Sequence, residues 1–97
     1  HLLCSLDATP SAVDLTIAKA DNTYHNIHVA WKKIDSARSY RVAYRQKGTS
    51  KWYYEVTDQV SNAITGITRN RSYEVKLQAL NGREEGPWSA IKTVFLK

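Results

Sequence analysis

The sequence holds a single cysteine, Cys4, among 97 residues. An internal disulfide is therefore impossible, and the core alone must hold the fold. A chain of this length can bury enough apolar surface to do so, with modest stability. No apolar run approaches the roughly 18 residues needed to cross a bilayer as a helix. The opening HLLCSLDATP lacks the charged n-region and long apolar core of a secretory signal. No repeat and no low-complexity run is present. Glycine is scarce too: Gly48, Gly66, Gly82 and Gly86 are the four, and each falls at a turn-like position, not in a phosphate-cradling loop.

Reactive constellations are also missing. The three histidines are His1, His25 and His28, and no Cys, Asp or Glu stands near them at metal-ligand spacing. There is no G-x-S-x-G elbow and no plausible Cys/His pair. The nine carboxylates are spread along the chain, with Glu84 and Glu85 adjacent as a solvated pair. The expectation is a non-catalytic chain without metal or cofactor.

What is present is a globular composition, 42% hydrophobic and 24% charged. Net charge is +5, which favours acidic partners such as sulfated glycans or anionic surfaces. No basic helix or nucleic-acid motif accompanies that charge, so nucleic acid is not expected. Cys4 reads as a linker thiol or as half of a bridge to a neighbouring segment.

Seven short segments alternate apolar and polar residues, separated by turn-like stretches, as in an all-β sandwich or barrel. They are VDLTIA (13–18), NIHVAWKKI (26–34), SYRVAYRQK (39–47), KWYYEVT (51–57), NAITGI (62–67), SYEVKLQAL (72–80) and SAIKTVFLK (89–97). Val13, Leu15 and Ile17 should share one face of the first. Ile27, Val29 and Trp31 should share one face of the second. Tyr40, Val42 and Tyr44 alternate with Arg41, Ala43 and Arg45, and Tyr73, Val75, Leu77 and Ala79 point inward. Period-2 alternation gives each strand a buried face and a wet face, the mark of antiparallel sheets.

The tryptophan of VAW (Trp31), the YRVAY of the third segment and the block ITGITRNRSYEVKLQALN together resemble the fibronectin type III family, over about residues 10–96. Ile67 and Tyr73 keep the register of the family's Leu-x-Pro-x-Thr-x-Tyr pattern, with Arg69 in place of its proline. The resemblance implies a seven-stranded antiparallel β-sandwich over 10–97, preceded by a linker at 1–9. It implies that Tyr73 is a tyrosine corner, its ring in the core and its hydroxyl returned to the preceding turn. Trp31 is implied as a large core filler, and Tyr40 and Tyr44 as mostly core, with the Tyr44 hydroxyl able to stay at a rim.

The same resemblance sorts the loops. Those after the first, third and fifth strands share a basic pole, with Lys19, Arg45, Lys47, Lys51, Arg69 and Arg71. The other pole is nearly balanced, with Asp35, Arg38, Asp58, Arg83, Glu84 and Glu85. It carries the loop after the sixth strand, NGREEG, where this family often presents a recognition tripeptide, so Asn81, Gly82, Arg83, Glu84 and Glu85 are candidate partner contacts. Asn81-Gly82 reads as turn chemistry, or as a deamidation site. Trp88-Ser89 resembles half of the Trp-Ser-x-Trp-Ser of cytokine-receptor domains, with Lys76 or Arg41 able to stack on Trp88 for local stability. Asn70-Arg71-Ser72 is the one N-glycosylation acceptor pattern, with chance occurrence the simpler reading.

The expected function is an adhesion, receptor or protein-interaction module of a larger extracellular or cell-surface protein, monomeric in isolation and without membrane insertion. Its partner would be another protein, neighbouring domains or a sulfated glycan. The alternatives are a spacer within a secreted enzyme or matrix protein, and an intracellular scaffold domain in the cytoplasm.

Overall fold

The computed structural model describes residues 9–82 and 84–97, with the side chains of Thr16 and Ile17 set aside. Cys4, His1 and Arg83, and nearly all of the 1–9 linker, lie outside the described residues. Strands are β1 (Leu15–Asp21), β2 (Asn26–Trp31), β3 (Ser39–Gln46), β4 (Tyr53–Thr57), β5 (Ser61–Ile64), β6 (Arg71–Asn81), β7 (Glu84–Glu85) and β8 (Lys92–Leu96). One sheet is ordered β1-β2-β5; the other is β4-β3-β6, with both β7 and β8 paired to β6. All pairings are antiparallel.

The inner faces meet in one core. It contains Val13, Leu15, Ile27, Val29, Trp31, Tyr40, Val42, Ile64, Tyr73, Val75, Leu77, Ala79, Val94 and Leu96. These are the inward positions of the alternating segments, with one correction. The register slips between Leu15 and Ile17, and Ala18 and Ala20 pack against the core beyond the slip, while the Ile17 side chain lies outside what the structure describes. An extra residue in one strand does this by reversing the parity that follows it. Ala43, expected to be solvated, is fully buried because Tyr54 and Lys76 flank it across both neighbouring strands.

The strand beyond the seven expected is β7, which lies in the NGREEG segment expected as a loop, while β8 falls within the expected last segment. Gly86 donates its N–H to the Ala79 carbonyl at 2.9 Å, and Ser89 donates to the Leu77 carbonyl at 2.8 Å. Between them stands Pro87, which has no N–H to give to a ladder. The Leu77 N–H is accepted by the Ser89 hydroxyl at 2.9 Å, so a side chain stands in where a strand backbone would serve.

Two tyrosines brace the turns from within. The Tyr73 hydroxyl accepts the Thr68 N–H at 2.8 Å and donates to the Thr68 carbonyl at 3.2 Å. That tyrosine corner closes the β5–β6 turn, where Asn70 sits at φ 59° and Asn70 N–H bonds the Leu96 carbonyl at 2.6 Å. The Tyr40 hydroxyl accepts the Ile34 N–H at 3.0 Å and does the same for the β2–β3 connection. Its ring meets Trp31 edge-on, with centroids 5.3 Å apart. The Trp31 indole N–H has no partner within the core, so this ring contributes through area alone.

Candidate functional site

Register places the connections at two ends. Asp21 pairs with Asn26, Ile27 with Ile64, and Gln46 with Tyr73, so the β1–β2, β3–β4 and β5–β6 connections share one pole. The β2–β3, β4–β5 and β6–β7 connections share the other.

At that other pole the NGREEG segment is not a free loop. Asn81 pairs with Glu84 and Leu80 with Glu85, leaving only positions 82 and 83 to make the connection. Gly82 takes φ 61°, which a β-carbon would oppose. The Asn81 side chain is buried, against its expected role as a partner contact. Glu85 is tied to Arg41 at 3.1 Å, and Glu84 accepts a hydrogen bond from the Thr9 hydroxyl at 3.3 Å. Gln78, buried in the sheet, accepts from Arg41 at 2.9 Å and donates to the Gly86 carbonyl at 2.9 Å. A β-carbon at Gly86 would stand 2.8 Å from the Pro10 carbonyl oxygen, so the chain entering the domain lies directly against this hairpin. Arg83, the cation expected to reach a partner here, is outside the described residues.

Between the poles, the outer face of the larger sheet carries interleaved cations and aromatics. Lys76 lies 4.3 Å from the Trp52 ring centroid and 4.4 Å from that of Trp88. Arg45 lies 4.3 Å from Trp52 on its other flank and pairs with Glu74 at 2.9 Å. Arg45 is thus not part of a free basic pole. Its strand position sets it in register with Glu74, and the outer face consumes its charge. Each exposed stack contributes roughly 0.5–1 kcal/mol. Trp88 also meets Tyr54, with centroids 6.3 Å apart. Trp52 escaped the sequence reading. The available signal was its position one residue before β4, opposite Arg45 once Tyr44 pairs with Tyr53.

The remaining cations behave differently. Lys47, Lys51, Arg69 and Arg71 are exposed, and none is in ion-pair range of an acidic side chain among the described residues. Lys51 lines a cleft of about 540 Å³ between the β3–β4 and β5–β6 connections; Lys47 and Arg69 lie on those connections, and Arg71 opens β6. Its walls include Tyr44, Tyr53, Lys51, Gln46, Ile67 and Gly66. The rings of Tyr44 and Tyr53 stack with centroids 5.7 Å apart, and the Lys51 ammonium lies 5.2 Å from the Tyr53 ring. Burial, and after it the Glu55 carboxylate, holds the Tyr44 phenol above its ordinary range, so it remains a neutral donor at physiological pH. On the flank of this region Asn62 donates to Glu55 at 2.8 Å, bridging β5 to β4 across the open side of the sandwich.

Comparison with known proteins agrees with this fold: the fibronectin type III domain family matches residues 8–95. The chain belongs to the fibronectin type III family. Among solved structures it is similar to the FN5 domain of Drosophila Lar, at 24% identity and a TM-score of 0.74 over 89% of this chain and 95% of that one. It is similar to a Fn3-like protein from Clostridium thermocellum, at 20% identity and a TM-score of 0.69 over 95% of this chain and 96% of that one. Titin kinase with its flanking domains shares 13% identity at a TM-score of 0.74, over 92% of this chain and 17% of that one. At these identities the likeness concerns the fold.

On this fibronectin type III domain, Trp31 and Tyr73 lie in the core, while Trp88 belongs to the outer-face stack. Asn70 is exposed on the basic pole, at the tip of the turn that Tyr73 braces. His28 shares a surface hollow with Asp21, short of the three ligands a metal site needs. Among the described residues no group of three or more His, Cys, Asp or Glu is gathered.

Proposed function

We propose that this fibronectin type III domain is a non-catalytic recognition module of a larger extracellular or cell-surface protein, meeting an acidic partner through its basic pole. The observation that carries the reading is the set of exposed cations Lys47, Lys51, Arg69 and Arg71, unpaired among the described residues at the pole that holds the cleft. On the outer face of the larger sheet, Arg41 and Arg45 are instead neutralised by Glu85 and Glu74. Cations left without counter-charges on one surface raise the local potential and speed encounter with anions. The test is retention on heparin resin. The wild-type domain should elute above physiological salt, and Arg69→Ser with Arg71→Ser should bring elution down. Unchanged elution at or below physiological salt for both proteins removes the recognition role from this pole.

A second reading, a spacer between neighbouring domains, draws on Pro10. It is fully buried with its carbonyl against Gly86, which fixes the direction in which the chain enters. A spacer needs that anchoring and no partner. The same resin experiment separates the two readings, because a spacer has no reason to keep the pole's cations unpaired.

A further inference from the structure

The cleft at the basic pole holds more than charge. Its volume of about 540 Å³ falls in the roughly 300–1,000 Å³ range of small-ligand sites. Tyr53 is 51% exposed, with Tyr44 stacked beside its ring and the Lys51 ammonium over it at 5.2 Å. The Tyr44 and Tyr53 hydroxyls and the Gln46 amide make no hydrogen bond among the described residues. By contrast, the Tyr73 hydroxyl is taken by Thr68 and the Thr49 hydroxyl by the Gln46 carbonyl. Lys51 is the one cation in the wall; Lys47 and Arg69 are exposed on the connections that bound it, and Arg71 is exposed at the start of β6. An acidic peptide needs only the cations. An exposed phenol ring beside unsatisfied neutral hydrogen-bonding groups fits the C–H face and hydroxyls of a sugar ring.

We infer that this cleft is a subsite for one sulfated sugar of an anionic glycan, its ring stacked on Tyr53, its sulfate on Lys51 and a hydroxyl bonded to Tyr44. The inference rests on the basic pole being a recognition surface and adds the class of ligand. The chain of the glycan then runs over Arg69 and Arg71, which hold it by charge without selecting a sugar. Gly66 lines the cleft at φ 69° with no atom within 4 Å of a β-carbon position, so the wall on that side is bare backbone.

The test is calorimetric titration with amide-shift mapping at physiological salt. The probes are a size-defined, fully sulfated heparin tetrasaccharide, its desulfated counterpart and a glutamate oligomer of equal charge. The tetrasaccharide should bind most tightly and shift the amides of Tyr44, Lys51, Tyr53 and Gly66. Tyr53→Ala should weaken it about tenfold, as for truncation of a central contact, without moving the melting transition. Tyr44→Phe, which leaves the ring in place, should weaken it about threefold. Arg69→Ser with Arg71→Ser should weaken the tetrasaccharide and the glutamate oligomer alike. If the glutamate oligomer binds as well as the tetrasaccharide and both tyrosine variants bind like wild type, the sugar subsite is overturned while the basic pole stands. If none of the probes binds, both readings fall.

Discussion

The two poles of the sandwich are built from the same kinds of connection, yet one is pinned and the other open. At the β6–β7 end the hairpin is fastened four ways: Gly86 to Ala79, Gln78 to Gly86, Arg41 to Glu85 and Thr9 to Glu84. Pro10 fills the space that a β-carbon on Gly86 would need. At the β3–β4 and β5–β6 end, Tyr73 and a few backbone bonds brace the turns from below, while the cations above have no counter-charges. A segment whose polar groups are already satisfied has little left for a partner. Charge content alone does not separate the two ends. What separates them is that the β6–β7 hairpin is held by side-chain hydrogen bonds and an ion pair, while Lys47, Lys51, Arg69 and Arg71 at the other end are exposed without an ion pair among the described residues.

The contrast is sharpest at Gly86. Gly86→Ala places a β-carbon against the Pro10 and Ala79 carbonyl oxygens, which are backbone atoms with little room to move. It should lower stability by about 2–3 kcal/mol, read as a reduced denaturant midpoint. A loss below about 0.5 kcal/mol would mean the entry segment is not pinned. Beneath the open pole, Tyr73→Phe should cost about 1–3 kcal/mol, because Thr68 loses both of its bonds to the hydroxyl. No change in the melting curve would contradict the corner. Ser89→Ala should cost about 1 kcal/mol by stranding the Leu77 N–H, and amide exchange at Leu77 should quicken with it. Arg69→Ser with Arg71→Ser should shift stability by less than about 0.5 kcal/mol while lowering the salt at which the domain elutes from heparin, a split expected of an exposed binding surface. Smallest of all, Arg83→Ala should move neither melting nor retention. A loss of binding there would return recognition to the pinned pole and reverse the comparison.

Much of this architecture was legible in the sequence. Tyr73 and Trp31 could be placed because period-2 alternation puts them inward and the turn before Tyr73 keeps its family spacing. The inward sets of β2 and β6 followed from the same period. The slip in β1 was not legible, since a bulge leaves the composition unchanged and alters only the pairing. Nor was the connection from β7 to β8: Pro87 marks a break, but that the Ser89 hydroxyl serves Leu77 depends on a contact across strands. Arg45 was assigned to the wrong place for a related reason. A cation near a loop looks free until the partner strand brings Glu74 opposite it. The cleft is the extreme case. Its walls come from two stretches of chain, 44–53 and 66–73, that no local pattern joins.

The antiparallel register has a mechanical consequence. Pro10 enters at the pinned pole, against Gly86, and Leu96 leaves at the opposite one, paired with Arg71. Tension applied between these two residues would pull β1 along β2 and β8 along β6, each parallel to its own axis. The rungs of each ladder would then be loaded in shear, all at once, instead of being peeled open one by one. The fastenings at Gly86 and Thr9 would take up strain at the point of entry, before it reaches the first rung at Leu15.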